Sequence, residues 1–145
     1  MKILVIGSGS IGQRHIKNLK SLRIKDIQVF DSDKKLLKLV EKKFNIKVQN
    51  KLNFEQIDCT LICTPPNSHI KLAKLALENN SNVFIEKPLS HSLKGINIIS
   101  KIAKKKSLKI FVGYVFRFDK GLMKINKILK KNEIGDIVSF DAYEG

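Results

Sequence analysis

The sequence has 145 residues, 43% hydrophobic and 28% charged, the balance of an ordinary folded domain with its own core. No run approaches the roughly 20 apolar residues of a membrane span, and the opening stretch reaches Gly7 too soon for a signal peptide, so the expected location is cytoplasmic. The net charge of +15 raises nucleic-acid binding, yet all but Arg14, Arg23 and Arg117 of the 28 basic residues are Lys, and base and phosphate readers lean on the forked guanidinium.

The lysines are spread over helix surfaces, as in Lys34, Lys35, Lys38, Lys42 and Lys43. They read as a solvated surface. An anionic ligand or acidic partner is the other reading, and nucleic acid is disfavoured. Cys59 and Cys63 are four apart in one apolar run, which in a strand places them about 13 Å apart on one face, too far for a disulfide. No further Cys or His cluster completes a metal set. Both cysteines read as small core residues.

In chain order, two periodicities alternate. Lys2–Ile6 is a buried strand, and Ile11, His15, Ile16, Leu19 and Leu22 follow helical spacing. Ile27–Phe30 is a strand, followed by a helix marked by Leu36, Leu37, Val40 and Phe44 and capped by Ser32 or Asp33. A weak strand is expected at Ile46–Val48, and a firm one at Cys59–Cys63, stopped by Pro65-Pro66. Ile70, Ala73 and Leu77 mark a helix ended by Asn79-Asn80. Val83–Ile85 is a strand halted by Pro88, Leu93 to Ile102 a helix, and Ile110–Val112 a sixth strand. Strand and helix in alternation, with runs apolar at every position, predict α/β architecture: a doubly wound parallel sheet over residues 1–117. Residues 118–145 read as the opening of a truncated second, α+β domain, with a helix at Leu122–Leu129 and a strand at Ile137–Tyr143.

Gly7-Ser8-Gly9-Ser10-Ile11-Gly12 fits G-x-G-x-x-G between the first strand and first helix, the setting of a dinucleotide fingerprint. Gly7 serves the tight turn, Gly9 the approach of a pyrophosphate, and Gly12 close packing. The helix N-terminus offers free N–H groups to the phosphates. Asp31 ends the second strand, 19 residues after Gly12, where a carboxylate accepts from ribose hydroxyls and repels a 2′-phosphate. This favours NAD over NADP, although Lys34 and Lys35 stand close in sequence; Asp31 also suits a helix N-cap. His15 reads as a packing histidine.

Four motifs follow in order: Gly7–Gly12, Thr64-Pro65-Pro66-Asn67-Ser68-His69, Glu86-Lys87-Pro88, and Gly113-Tyr114-Val115-Phe116-Arg117-Phe118. Together they resemble the Gfo/Idh/MocA family of oxidoreductases. The resemblance implies an NAD(P)-dependent dehydrogenase acting at a hydroxyl or keto carbon of a sugar, cyclitol or nucleotide sugar. It implies cofactor contacts at Gly7, Ser8, Gly9, Ser10, Ile11, Gly12, Asp31, Thr64, Pro65, Asn67, His69, Glu86, Lys87 and Arg117. Thr64-Pro65 and Glu86-Lys87-Pro88 end strands four and five, the ligand-binding edge of an open parallel sheet. Asn67 suits either a helix cap or a cofactor contact.

Lys87 is the catalytic candidate: a lysine beside the substrate oxygen steadies a developing alkoxide and shares its proton. Burial near a nicotinamide would favour its neutral amine. Its bland reading is a surface lysine before a turn. Glu86 is expected to hold Lys87 or the cofactor ribose, and the resemblance implies a cis Lys87-Pro88 bond. Arg117 is placed near the cofactor or the domain junction, or in an interdomain salt bridge.

Family members are longer, and their second domain supplies substrate contacts and oligomer interfaces. The chain therefore reads as a front part that binds dinucleotide and alone turns over little substrate, with a homo-oligomer expected of the full-length protein. The alternative is a non-catalytic dinucleotide-binding or redox-sensing module, which needs the glycine loop and Asp31 but not Glu86-Lys87-Pro88.

Overall fold

The computed structural model describes residues 1–143; the end of the expected second-domain segment, 144–145, lies outside them. The chain divides into two compact units, Met1–Gly113 and a second beginning at Tyr114.

The first unit is a six-stranded sheet of β1 (Lys2–Ile6), β2 (Asp26–Phe30), β3 (Lys47–Val48), β4 (Cys59–Ile62), β5 (Asn82–Ile85) and β6 (Ile110–Val112). The order is β3-β2-β1-β4-β5-β6, and all pairs are parallel. The crossovers are α1 (Ser10–Ser21), α2 (Lys34–Phe44), α3 (Pro66–Glu78) and α4 (Ile96–Lys105). The order reverses between β1 and β4, which creates the crevice of a doubly wound sheet.

Alternation along β1 explains why its run is apolar throughout. Leu4 and Ile6 pack on one face with Ile62, Ile85, Ala73, Leu77 and Ile99, under α3 and α4. Ile3 and Val5 pack on the other with Ile27, Val29, Ile16, Leu37 and Val40, under α1 and α2. A strand covered on both sides has no polar face to show. Each fully buried Leu or Ile contributes roughly 1.5–3 kcal/mol.

Helix ends follow local chemistry. Asp33 caps α2, its carboxylate accepting from the N–H groups of Lys35 (2.8 Å) and Leu36 (3.2 Å). Asn45 closes α2 in the left-handed region at φ 48°. Replacing Asp33 by Ala is expected to cost about 1 kcal/mol and lower the melting temperature by roughly 4 °C in a thermal melt, without changing dinucleotide affinity. Pro66 opens α3 at its first turn, where a missing N–H costs nothing. The fourth crossover starts late: Gly95 at φ 85° is the N-cap of α4, and Leu93, expected inside the helix, is exposed before it.

The second unit holds a 3-10 turn (Val115–Phe118) and α5 (Lys120–Lys130), capped by Asp119. Ile137–Tyr143 is not a strand: its residues carry no ladder and are all exposed. The alternating pattern is competent for a strand, but a strand needs a neighbour for its N–H and C=O groups. No described helix is long and apolar enough to cross a membrane.

Candidate dinucleotide site

The sheet ladder runs one residue past several strand ends and gathers the motifs at one rim. Gly7 N–H donates to Phe30 O (2.9 Å), Cys63 N–H to Ile6 O (2.8 Å), Glu86 N–H to Ile62 O (2.9 Å) and Gly113 N–H to Ile85 O (2.8 Å). This is the C-terminal edge, where an open parallel sheet takes its ligands.

The three glycines of the loop differ in what surrounds them. Gly7 sits at φ 93°, and a Cβ there would lie 2.7 Å from Cys63 O. A Cβ on Gly12 would lie 2.0 Å from Gly7 O. A Cβ on Gly9 would meet nothing within 4 Å. Gly7 and Gly12 are thus required by the protein itself, whereas the bareness of Gly9 serves nothing inside the chain. Gly9 is the N-cap of α1; the helix has no side-chain cap and no acidic residue in its first turn, which begins with Ser10 and Ile11. Its first N–H groups face the rim without a side-chain partner, a donor set suited to an anion.

Asp31 stands opposite. Its Oδ2 accepts from both the backbone N–H (2.6 Å) and the hydroxyl (2.8 Å) of Ser8, which is wholly buried. Its Oδ1 accepts from Asp33 N–H (2.9 Å). Burial pushes the Asp31 carboxyl up, but the hydrogen bonds from Asp33, Ser8 and Ser32 outweigh it and hold the carboxyl below its ordinary value. The ionised form is favoured in the fold, so the stability it contributes is present above about pH 4 and is lost as pH falls through the lower folded value. The helix-cap reading of Asp31 gives way to Asp33, which caps α2.

Between these groups lies a groove of about 480 Å³ across the β1/β4 crevice. Phe30, Leu36, Pro65 and Leu72 give it apolar walls, and Gly7, Gly9, Asp31, Ser32, Thr64 and Asn67 line it as well. Asn67 is exposed on the groove, and α3 has no side-chain cap, so the capping alternative is not realised. Thr64 instead bonds Ser68, hydroxyl to hydroxyl at 2.6 Å, and Ser68 donates on to Pro65 O (2.8 Å), stiffening the loop.

The Glu86-Lys87-Pro88 turn leaves β5 at the same rim, with the Lys87-Pro88 bond cis, as the resemblance implied. Lys87 is exposed; the enclosure expected around its ammonium is not supplied by the first unit. The Glu86 carboxylate accepts from Lys87 N–H (3.2 Å) and lies 2.6 Å from His15 Nε2. His15 is therefore more than a packing residue. Position 15 is half-hidden in a helical stripe, and nothing in that spacing announces a partner 71 residues away.

His69, expected to contact a cofactor, is wholly buried. Its ring nitrogens face Pro88 O (2.9 Å) and Thr64 O (2.7 Å), tying the two rim loops together. Its role in this structure is internal. Arg117 lies in the 3-10 turn of the second unit. Both cysteines are free. Burial and then the Glu86 carboxylate push the Cys63 thiol up to about 12, and burial and then Asp58 raise Cys59. Among the described residues no group of three or more His, Cys, Asp or Glu is arranged to hold a metal.

A doubly wound parallel sheet with a glycine loop at its switch point, an uncapped helix N-terminus and a carboxylate closing strand two defines a dinucleotide-binding Rossmann domain. Residues 1–114 match the model of the Gfo/Idh/MocA proteins, described as an oxidoreductase family with an NAD-binding Rossmann fold, and the chain belongs to that family. Myo-inositol 2-dehydrogenase of Thermotoga maritima is 29% identical over 141 residues, covering 93% of this chain and 42% of that protein. The structure of Lactobacillus casei scyllo-inositol dehydrogenase with NAD(H) and scyllo-inositol bound aligns with a TM-score of 0.81 at 23% identity, over 94% of this chain and 42% of that one. UDP-N-acetylglucosamine 3-dehydrogenase of Acidithiobacillus ferrooxidans aligns with a TM-score of 0.81 at 21% identity, over 88% and 42%. The chain thus spans well under half the length of these relatives.

Proposed function

We propose that this chain is the cofactor-binding part of an NAD-dependent dehydrogenase acting on a hydroxyl or keto carbon of a sugar, cyclitol or nucleotide sugar. The observation that carries the reading is the contrast within the glycine loop: Gly9 alone is bare toward open space, in one groove with Asp31. The residues fit a dinucleotide. The first N–H groups of α1 receive the diphosphate, Phe30, Leu36, Pro65 and Leu72 flank the adenine, and Asp31 accepts from the ribose diol.

Ser8 holds the Asp31 carboxylate ionised and aimed, so a 2′-phosphate meets a fixed negative charge; this supports NAD over NADP. Bound nicotinamide supplies the hydride chemistry. Lys87, exposed where β5 ends, exchanges one proton with the substrate oxygen: its neutral amine accepts the hydroxyl proton when an alcohol is oxidised, and its ammonium returns a proton to the oxygen when a ketone is reduced. Two relatives whose names specify inositol or an amino-sugar nucleotide support the substrate class. The groups that choose among these substrates belong to the rest of a longer, homo-oligomeric protein, so the chain alone binds cofactor and turns over little substrate.

Calorimetry with NAD and NADP tests the assignment. Asp31→Ala is expected to weaken NAD at least about tenfold, roughly 1.4 kcal/mol, while leaving NADP unchanged or tighter. An unaltered NAD affinity and NAD-to-NADP ratio would overturn the role of Asp31 and with it the preference for NAD.

A further inference from the structure

The dinucleotide reading leaves one short hydrogen bond unused. His15 lies six residues after Gly9, on the helix whose N-terminus faces the groove, and its ring reaches across to the turn that carries Lys87. His15 Nε2 and Glu86 Oε1 are 2.6 Å apart, with side chains only 21% and 16% exposed. Nothing about helix packing demands this pairing, because an apolar residue would fill the same space at lower desolvation cost.

The surroundings hold both partners in one geometry. The His15 ring meets Phe84 edge-on, with centroids 5.1 Å apart, and Phe84 stacks on Phe111 at 5.5 Å. Gly113 gives the Phe84 ring its room: a Cβ there would come within 3.0 Å of that ring, and at 3.4 Å it would be in ordinary contact with Glu86 Oε1. The second carboxylate oxygen accepts the Lys87 N–H (3.2 Å). Beyond Lys87, Pro88 O is held by His69 Nδ1 (2.9 Å). The turn is pinned on both sides of Lys87, to α1 through Glu86 and to α3 through Pro88.

We propose that His15 is a positioning residue that locks Glu86, and through it Lys87, to the phosphate-binding helix, so that the seat of the cofactor and the seat of Lys87 form one rigid body. A carboxylate only accepts, so the proton of this bond sits on Nε2 of His15. An unlatched turn leaves Lys87 mobile at an open rim. Catalytic groups lose effect steeply when misplaced by about 1 Å.

Most of the test needs no ligand. Long-range 15N–1H NMR on the 145-residue chain is expected to show His15 protonated at Nε2; an Nδ1–H tautomer overturns the proposal. His15→Phe keeps the ring against Phe84 but not the bond. It is expected to lower the Lys87 amide order parameter from about 0.85 to below about 0.6, while His15→Gln, which places an amide N–H where Nε2 was, restores it. A folded Phe variant with Lys87 still rigid overturns the proposal. If the Phe variant fails to fold, a Gln variant that is folded but has lost order at Lys87 overturns it equally.

The last step rests on the dinucleotide reading. Adding NAD to the wild type is expected to shift the amides of Gly7–Gly12 and of Lys87 together, and in His15→Phe to shift only the loop. If NAD shifts neither region in the wild type, the cofactor assignment falls, and the tautomer and order parameters still decide the lock.

Discussion

Gly12→Ala is expected to destabilise the first unit by about 3 kcal/mol or more, read as a lower midpoint in urea with the slope unchanged. The added methyl carbon would sit 2.0 Å from Gly7 O and 2.9 Å from Gly7 C. Both neighbours are backbone, and neither is free to retreat. Gly7 is at φ 93°, and its N–H is committed to Phe30 O at 2.9 Å; moving it breaks the ladder where β1 meets β2. Moving α1 outward instead uncovers Ile16, which is fully buried between helix and sheet. Small domains hold only about 5–15 kcal/mol in all, so this methyl group removes a large share. Cofactor affinity falls with it, because the helix N-terminus and the loop move together. A variant within 1 kcal/mol of wild type would show that the close approach of α1 to β1 is not what Gly12 is for.

The same contact explains why the glycine loop was legible in the sequence. Gly7 and Gly12 are dictated by backbone crowding inside the chain, so they appear as a fixed spacing between an apolar strand and a helix. The doubly wound fold was legible for a related reason: β1 is covered on both faces, which forces Ile3, Leu4, Val5 and Ile6 all to be apolar. Asp31 was readable by its offset from the loop.

What the sequence concealed depends on long-range geometry. His15 and Glu86 are 71 residues apart, and His69 meets Pro88 19 residues on. Neither pairing follows from periodicity, and His69 resembled a site residue because it travels in a motif with Thr64. Leu93 fitted helical spacing, but Gly95 at φ 85° sets the start of α4 after it. Ile137–Tyr143 carried a strand pattern that only a neighbouring strand can realise. Pattern reports what a segment is able to bury; partners decide whether it does.

Gly9→Val separates the cofactor's requirement from the protein's. Gly9 has φ −62° and ψ −170°, an extended conformation that any residue adopts, and no atom lies within 4 Å of a Cβ placed there. Two small stability effects oppose each other: a side chain restricts the unfolded chain, worth about 0.4–1 kcal/mol, while valine is a poorer N-cap than glycine by a similar amount. The urea midpoint is therefore expected to stay within about 1 kcal/mol of wild type. Binding is another matter. In the proposed binding mode the diphosphate approaches the backbone at Gly9 to reach the first N–H groups of α1, and an isopropyl group fills that approach. NAD and NADP are both expected to weaken by at least about 100-fold, roughly 2.7 kcal/mol, with their ratio unchanged, whereas Asp31→Ala moves the ratio. A folded Gly9→Val chain that still binds NAD with wild-type affinity in calorimetry would mean that the diphosphate does not lie on this loop, and the open space beside Gly9 would then need another occupant.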